Sequence, residues 1–260
     1  MYLYVAVMPS RVYYAEGPQR HSLYAVRIEQ AAGERCLIVP YQEFTPALVR
    51  DLKPRAVVMS GFGPRFEDLD VRDFYGMEAV MKAGTPPVLC ICGSHQLAGY
   101  CFNQDIRTVP GLKDLPMRKL EPGDPLPRQA LGTDPGGLQK AAHFMASGFY
   151  EIEKLRDDPL FEGLPGRMIL RCSHYCEVKA LPPGFDCLAR SGHCAIEAMK
   201  HRELPLYGVQ FHPEQYEAPF LHGQKVLENF AKVASSLHMR RRRSLPGSDA
   251  SSATPAPPSV

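Results

Sequence analysis

The sequence predicts an α/β protein with an open, mostly parallel β-sheet flanked by helices. Three observations carry this expectation. Short apolar runs of four or five residues alternate with amphipathic stretches through the first hundred residues, the rhythm of parallel βαβ units with right-handed crossovers. Gly and Pro punctuate the joins between them. The chain of 260 residues is long enough to bury one substantial core, and one large domain is the default at that size.

Taken in order, Tyr4–Met8 reads as a first strand and His21–Ala31 as a helix ending near Gly33. Cys36–Pro40 is a second strand, Pro46–Leu52 a short helix, Ala56–Met59 a third strand, Val71–Lys82 a helix and Val88–Cys92 a fourth strand. Open sheets of this type place their chemistry in loops at the carboxyl ends of strands. Two such loops are Ser60–Pro64 and Cys92–Gln96. From about Arg107 to Ala146 the pattern gives way to an irregular insertion dense in Pro and Gly, and a stretch that long is functional or disordered. Strands resume at Phe149–Glu153, Met168–Arg171, Cys187–Ala189, Ala195–Met199 and Leu206–Phe211, and a last helix covers Gly223–Leu237. The expected domain is residues 1–239. Residues 240–260 are expected to be a basic, Ser/Pro/Ala-rich disordered tail that cannot bury a core.

Composition excludes several classes. The net charge is +2, but Arg240–Arg243 and Asp249 account for more than all of it, and residues 1–239 carry −1. A nearly neutral body gives no electrostatic case for nucleic acid. No run of apolar residues is long enough for a membrane span. The segment MYLYVAVMPS lacks a signal-peptide layout and reads as a strand, so the eight cysteines are expected as reduced thiols in a cytoplasmic protein.

The chemistry centres on Cys92, where the apolar strand Pro87–Ile91 runs into GSHQLAGY, a helix start. A nucleophile on such a strand-to-helix turn needs small neighbours, and Cys90, Gly93 and Ser94 are small. The helix N-terminus favours a thiolate and offers free backbone N–H groups. A thiol nucleophile also needs a base, and the base needs an acceptor to fix its tautomer. YGVQFHPEQY places His212 after an apolar strand, with Glu214 two residues on and facing the same way on an extended chain.

Together PVLCICGSHQ and GVQFHPE resemble the nucleophile-elbow and His-Pro-Glu motifs of class I, triad-type glutamine amidotransferases. SHYCEVKALPPGF is similar to a segment of the glutaminase domain of GMP synthetase, and MSGFGP to the family's oxyanion loop. The resemblance spans most of residues 1–237 and implies a flavodoxin-like fold of the class I amidotransferase kind. It also implies a triad of Cys92, His212 and Glu214, with an oxyanion hole from Gly61, Gly63 and Gly93. Gln96, Ser173, His174, Tyr175 and Cys176 would contact the substrate. Cys92 would attack the γ-carboxamide of glutamine, forming a glutamyl thioester and releasing ammonia to a separate synthetase or acceptor subunit. No cofactor is implied, and no phosphate-binding loop is visible.

Departures from the family pattern bear on specificity. Cys90 and Ser94 replace the usual glycines either side of the nucleophile, and Phe62 interrupts the glycine loop. Cys176 stands where the similar segment carries an Asp that pairs with the α-ammonium of glutamine, and Glu177 beside it is the other candidate for that role. A γ-glutamyl peptidase using the same triad on a larger substrate is therefore the alternative enzyme reading. A non-catalytic regulatory subunit is the third, against which the intact Cys, His and Glu stand. Cys172, His174, Cys176, Cys187, His193 and Cys194 lie close in sequence, but their spacing does not match paired CxxC zinc geometry, so no metal is expected.

Overall fold

A computed structural model describes residues 1–124, 126, 137–140 and 142–244. Five strands are β1 (Tyr2–Ala6), β2 (Cys36–Pro40), β3 (Ala56–Met59), β4 (Val88–Ile91) and β10 (Leu206–Val209). They pair in parallel in the order β2-β1-β3-β4-β10. Beyond β10 the same sheet continues in antiparallel pairs through β9 (Ala198–His201), β8 (Phe185–Arg190) and β6 (His143–Lys154). β6 in turn pairs with β5 (Gly137–Lys140) and β7 (Arg167–His174). The expected open sheet is present, and the antiparallel extension is what its hairpin-length connections require.

Strand periodicity divides the core. Tyr2, Tyr4 and Ala6 of β1 face one apolar cluster, while Leu3, Val5 and Val7 face the other. The first cluster lies under α2 (His21–Ala32) and α6 (His222–Ser244). The second lies under α3 (Pro46–Leu52), α4 (Tyr75–Ala83) and α5 (Gly93–Asn103). A parallel sheet covered on both faces explains why its strands read as continuous apolar runs.

Several expected bounds change. A short helix α1 (Ser10–Glu16) follows β1; it buries no residue, so no apolar stripe announces it. Val71–Phe74 forms a tight helical turn that leads into α4. The irregular segment contains β5 and the start of β6, and its preceding stretch is bound to the sheet by bridges Pro116–Cys176 and Lys119–His143. α6 continues to Ser244, so Arg240–Arg243 lie in its last turns and not in a tail. The tail expected from residue 245 onward lies outside the described residues. None of the eight cysteines is in a disulfide. Among the described residues no helix is long and apolar enough to cross a membrane.

Gly76 on α4 sits where a Cβ would come within 1.9 Å of the Phe44 carbonyl oxygen. That oxygen belongs to backbone and cannot rotate away. Gly76→Ala should lower the urea unfolding midpoint by an amount equivalent to about 1–3 kcal/mol or more, measured by circular dichroism.

Candidate active site

β4 ends at Ile91, and Cys92 follows with φ 49° and ψ −106° before α5 begins at Gly93. Positive φ on a residue with a Cβ is strained and persists only where the surroundings enforce it. Here the Cys92 N–H donates to Val209 O on β10 at 2.7 Å, and the Cys92 carbonyl accepts the Gln96 N–H at 3.0 Å, the first turn of α5. The turn also separates two thiols two residues apart. Cys90 packs in the α4 and α5 cluster, its Sγ 3.5 Å from Met81 Sδ, whereas Cys92 joins the opposite cluster. Burial pushes the Cys90 thiol well up, so it stays protonated.

The neighbours must approach closely. A Cβ on Gly61 would lie 2.9 Å from His212 Cε1 and 3.2 Å from Cys92 Cβ, and one on Gly93 would lie 2.5 Å from the Phe62 ring. Gly63 is exposed, and a Cβ there would touch nothing within 4 Å. Ser94, in place of a usual glycine, is fully buried and donates to Ser60 O at 2.6 Å. Ser60 Oγ accepts from Val7 N and donates to Gly61 O, both at 2.9 Å. The substitution thus supplies a strut for the glycine loop.

His212 follows β10, and its N–H donates to Arg171 O on β7 at 2.7 Å. Its Nδ1 lies 2.7 Å from Glu214 Oε1, both side chains buried. Nε2 is buried without a well-formed hydrogen bond. Burial alone would lower the imidazole pKa, but the Glu214 carboxylate and then Cys92 outweigh it and push it up to about 10. Arg27 from α2 donates to Glu214 O at 2.6 Å, holding the acid's backbone, and stacks 4.3 Å from the Tyr216 ring centroid.

On the far side of the thiol, Ser173 O at the end of β7 lies 3.9 Å from Cys92 Sγ. Gln96 donates to Cys176 O at 2.9 Å and to Gln210 Oε1 at 3.2 Å, so its amide braces the segment that follows β7. Gln210 donates to Cys92 Sγ at 3.6 Å and is fully buried. Sequence reading missed Gln210, although it sits two residues before His212 on the same extended face. Arg27 carried no local signal. The Tyr175 carbonyl accepts from Met117 N at 2.7 Å, which docks the 115–117 stretch on residues 175–177. Cys176 is buried, while Glu177 lines a cleft of about 290 Å³ together with Gln96, Tyr100, Leu115 and Lys179.

Beside this site Cys172, His174, His193 and Glu197 bring their donor atoms within 4.8 Å of one another. Glu197 was not among the residues that the sequence suggested, and Cys176, Cys187 and Cys194 are not in the group. Burial holds His174 down to about 3 and His193 to about 4, so both imidazoles are neutral at physiological pH. It raises the Glu197 carboxyl to about 8, against the Ser191 hydroxyl and with help from Glu177.

A strained strand-to-helix cysteine facing a buried His–Glu pair, at the carboxyl edge of a parallel sheet, defines a thiol-dependent amide hydrolase. The glutamine amidotransferase class-I family matches residues 25–234, and the chain belongs to that family. It is 44% identical over 192 residues to a glutamine-hydrolysing GMP synthase subunit of Pyrococcus abyssi, covering 73% of this chain and 80% of that one. The corresponding protein of Pyrococcus furiosus is 34% identical over the same shares. Among solved structures, a Thermoplasma acidophilum protein superimposes with TM-score 0.66 at 19% identity, over 93% of this chain and 98% of that one. A glutamine amidotransferase from Thermotoga maritima gives TM-score 0.51 at 14% identity, over 93% and 84%. These two share the fold.

The raised His212 pKa makes a signed prediction. A protonated imidazole held by Glu214 stabilises the fold fully below the unfolded value near 6.5, and that stability is lost as pH rises towards about 10. Glu214→Gln removes the partner. The stability gap between wild type and Glu214→Gln should therefore be largest near pH 6.5 and narrow steadily towards pH 10. Urea denaturation across that range measures it.

Proposed function

We propose that this protein hydrolyses the γ-carboxamide of glutamine through Cys92 and delivers the ammonia to a separate synthetase subunit in the cytoplasm. The observation that carries the reading is the convergence of Cys92, on its enforced turn, with a buried His212–Glu214 pair. Membership of the amidotransferase family supports it, as do relatives named as one subunit of a GMP synthase, a name that implies another subunit.

In this mechanism His212 already holds the proton when Cys92 Sγ attacks the amide carbon. An imidazole held basic by Glu214 is suited to keep that proton. The oxyanion develops beside the Gly93 N–H, at the helix start where backbone donors have no intrahelical acceptor, and the Gly61 loop. His212 returns the proton to the departing ammonia as the carbon–nitrogen bond breaks. Water, deprotonated by His212, then opens the glutamyl thioester to glutamate and restores the thiol. Glu214 fixes the tautomer and stabilises the imidazolium without itself becoming protonated.

Cys92→Ala should abolish ammonia release from glutamine, and Cys90→Ala should retain most of it. His212→Asn should lower kcat by several orders of magnitude and Glu214→Gln by less. A coupled glutamate assay reads all four, and an active Cys92→Ala would refute the assignment. Run alongside on γ-glutamyl peptides, the same assay separates an amidotransferase from a peptidase.

Recognition of the α-ammonium falls to Glu177 in this reading, since Glu177 is only partly buried in a cleft shared with Gln96, whereas Cys176 is buried. Lys179, 2.6 Å from Glu177, is the cation that a substrate ammonium would displace or share. Glu177→Gln should raise KM for glutamine by about 10- to 100-fold, the worth of one charge-assisted bond. kcat should change less, because the contact is the same in ground and transition states. Cys176→Asp should shift KM little; a large fall in KM would move the ammonium site to residue 176.

A further inference from the structure

Strand β7 carries Cys172 and His174 on one face, both buried, at its carboxyl end. The connection between β8 and β9 brings His193 and Glu197 against them, with all four donor atoms mutually within 4.8 Å. His174 Nδ1 is 3.0 Å from Cys176 O, so it carries the proton and leaves the Nε2 lone pair turned away from that bond. His174 Nε2, His193 Nε2 and both oxygens of the fully buried Glu197 have no hydrogen-bond partner of normal geometry. The nearest approach, His193 Nε2 to Glu197 Oε1, is 3.5 Å. Buried polar atoms are rarely left unpaired, and four converging on one point call for a common partner.

We propose that Cys172, His174, His193 and Glu197 form a binding site for one zinc-class divalent cation. A thiolate, two imidazoles and a carboxylate are a complete tetrahedral zinc set, and the thiolate disfavours magnesium and calcium. Donors around tetrahedral zinc lie about 3.3–3.6 Å apart, so the four side chains need close by only about 1 Å. Charge closes as well: a divalent ion with one thiolate and one carboxylate is neutral, the condition for burying it cheaply. The Nδ1–carbonyl bond of His174 is the outer contact that orients a ligating imidazole. Four protein donors leave no open position, so the ion is structural. It ties the end of β7, where Ser173 O lies 3.9 Å from the Cys92 thiol, to the β8–β9 connection. The sequence conceals the set because its two halves, C-x-H on β7 and H-x₃-E in the β8–β9 connection, are separate in the chain and neither is a zinc spacing alone.

The test uses the full chain, stripped with a chelator and dialysed, then titrated with zinc and with cobalt(II). One equivalent of zinc should bind and raise Tm. The cobalt form should show tetrahedral d–d bands and a thiolate-to-metal charge-transfer band. Cys172→Ser should lose the charge-transfer band, and His193→Ala and Glu197→Gln should bind zinc about 100-fold more weakly or worse. Cys187→Ala, a partly exposed thiol outside the group, should still bind one equivalent. Glu197→Gln keeps the side-chain shape, and circular dichroism verifies its fold. No uptake by the wild-type chain overturns the proposal. So does full affinity in folded His193→Ala or Glu197→Gln, or a charge-transfer band that survives Cys172→Ser.

Discussion

The conformation of Cys92 is the constraint from which the rest of the site follows. A side chain at φ 49° and ψ −106° has to be held there, and two opposed anchors hold it: the Val209 carbonyl of β10 on one side and the first turn of α5 on the other. The same geometry crowds its surroundings. Gly61 and Gly93 are glycine because His212, Cys92 itself and Phe62 occupy the space a Cβ would need. Strain, close approach and an amide-rich helix start are therefore one feature seen three ways.

The second organising element is β10, the last parallel strand and the first to pair antiparallel. Its parallel ladder with β4 runs Leu206–Val88 to Val209–Ile91, which delivers Gln210 and His212 beside Cys92. Its antiparallel neighbours carry the chain out to β7, whose Arg171 and Ser173 carbonyls meet the His212 N–H and the thiol. Cys92 comes from the parallel half and the far wall beside its thiol from the antiparallel half. Glu214 gains its place from a third direction, the Arg27 guanidinium on α2.

Polar burial around the site is dense. Ser60, Ser94, Gln96, Gln210, His212 and Glu214 are all buried, and each except the histidine's Nε2 and one Glu214 oxygen makes hydrogen bonds that lock a loop or an imidazole. In a region of low effective dielectric such a network positions groups firmly and makes each bond count for more. Ser94 shows how a departure from the family pattern is absorbed: the added hydroxyl is turned into a tie for the glycine loop. Cys90 is absorbed differently, as a protonated thiol packed among methionines.

The amino-acid sequence by itself marked most strands of the parallel half of the sheet and singled out Cys92, His212 and Glu214 as the candidate triad. Ala56–Met59 was legible to the residue because a strand buried on both faces is an unbroken apolar run, and Cys36–Pro40, an edge strand with Leu37 exposed, because its apolar run is closed by Pro. Cys92, His212 and Glu214 were legible because their signals are local: a thiol before a Gly-led helix, and a His and Glu two residues apart after a strand. Local patterns are silent about α1, which buries nothing, and about where α6 stops, since four arginines suit a solvated coil as well as a helix end. Tertiary structure alone decided that β10 lies beside β4, that Gln210 reaches the thiol, and that Gly61 is pressed against Cys92 and His212. It alone decided that Glu197 meets Cys172 and His174. Each of those depends on pairing between strands distant in the chain, and pairing energy is shared among many side chains on both partners, so no short stretch of sequence carries it.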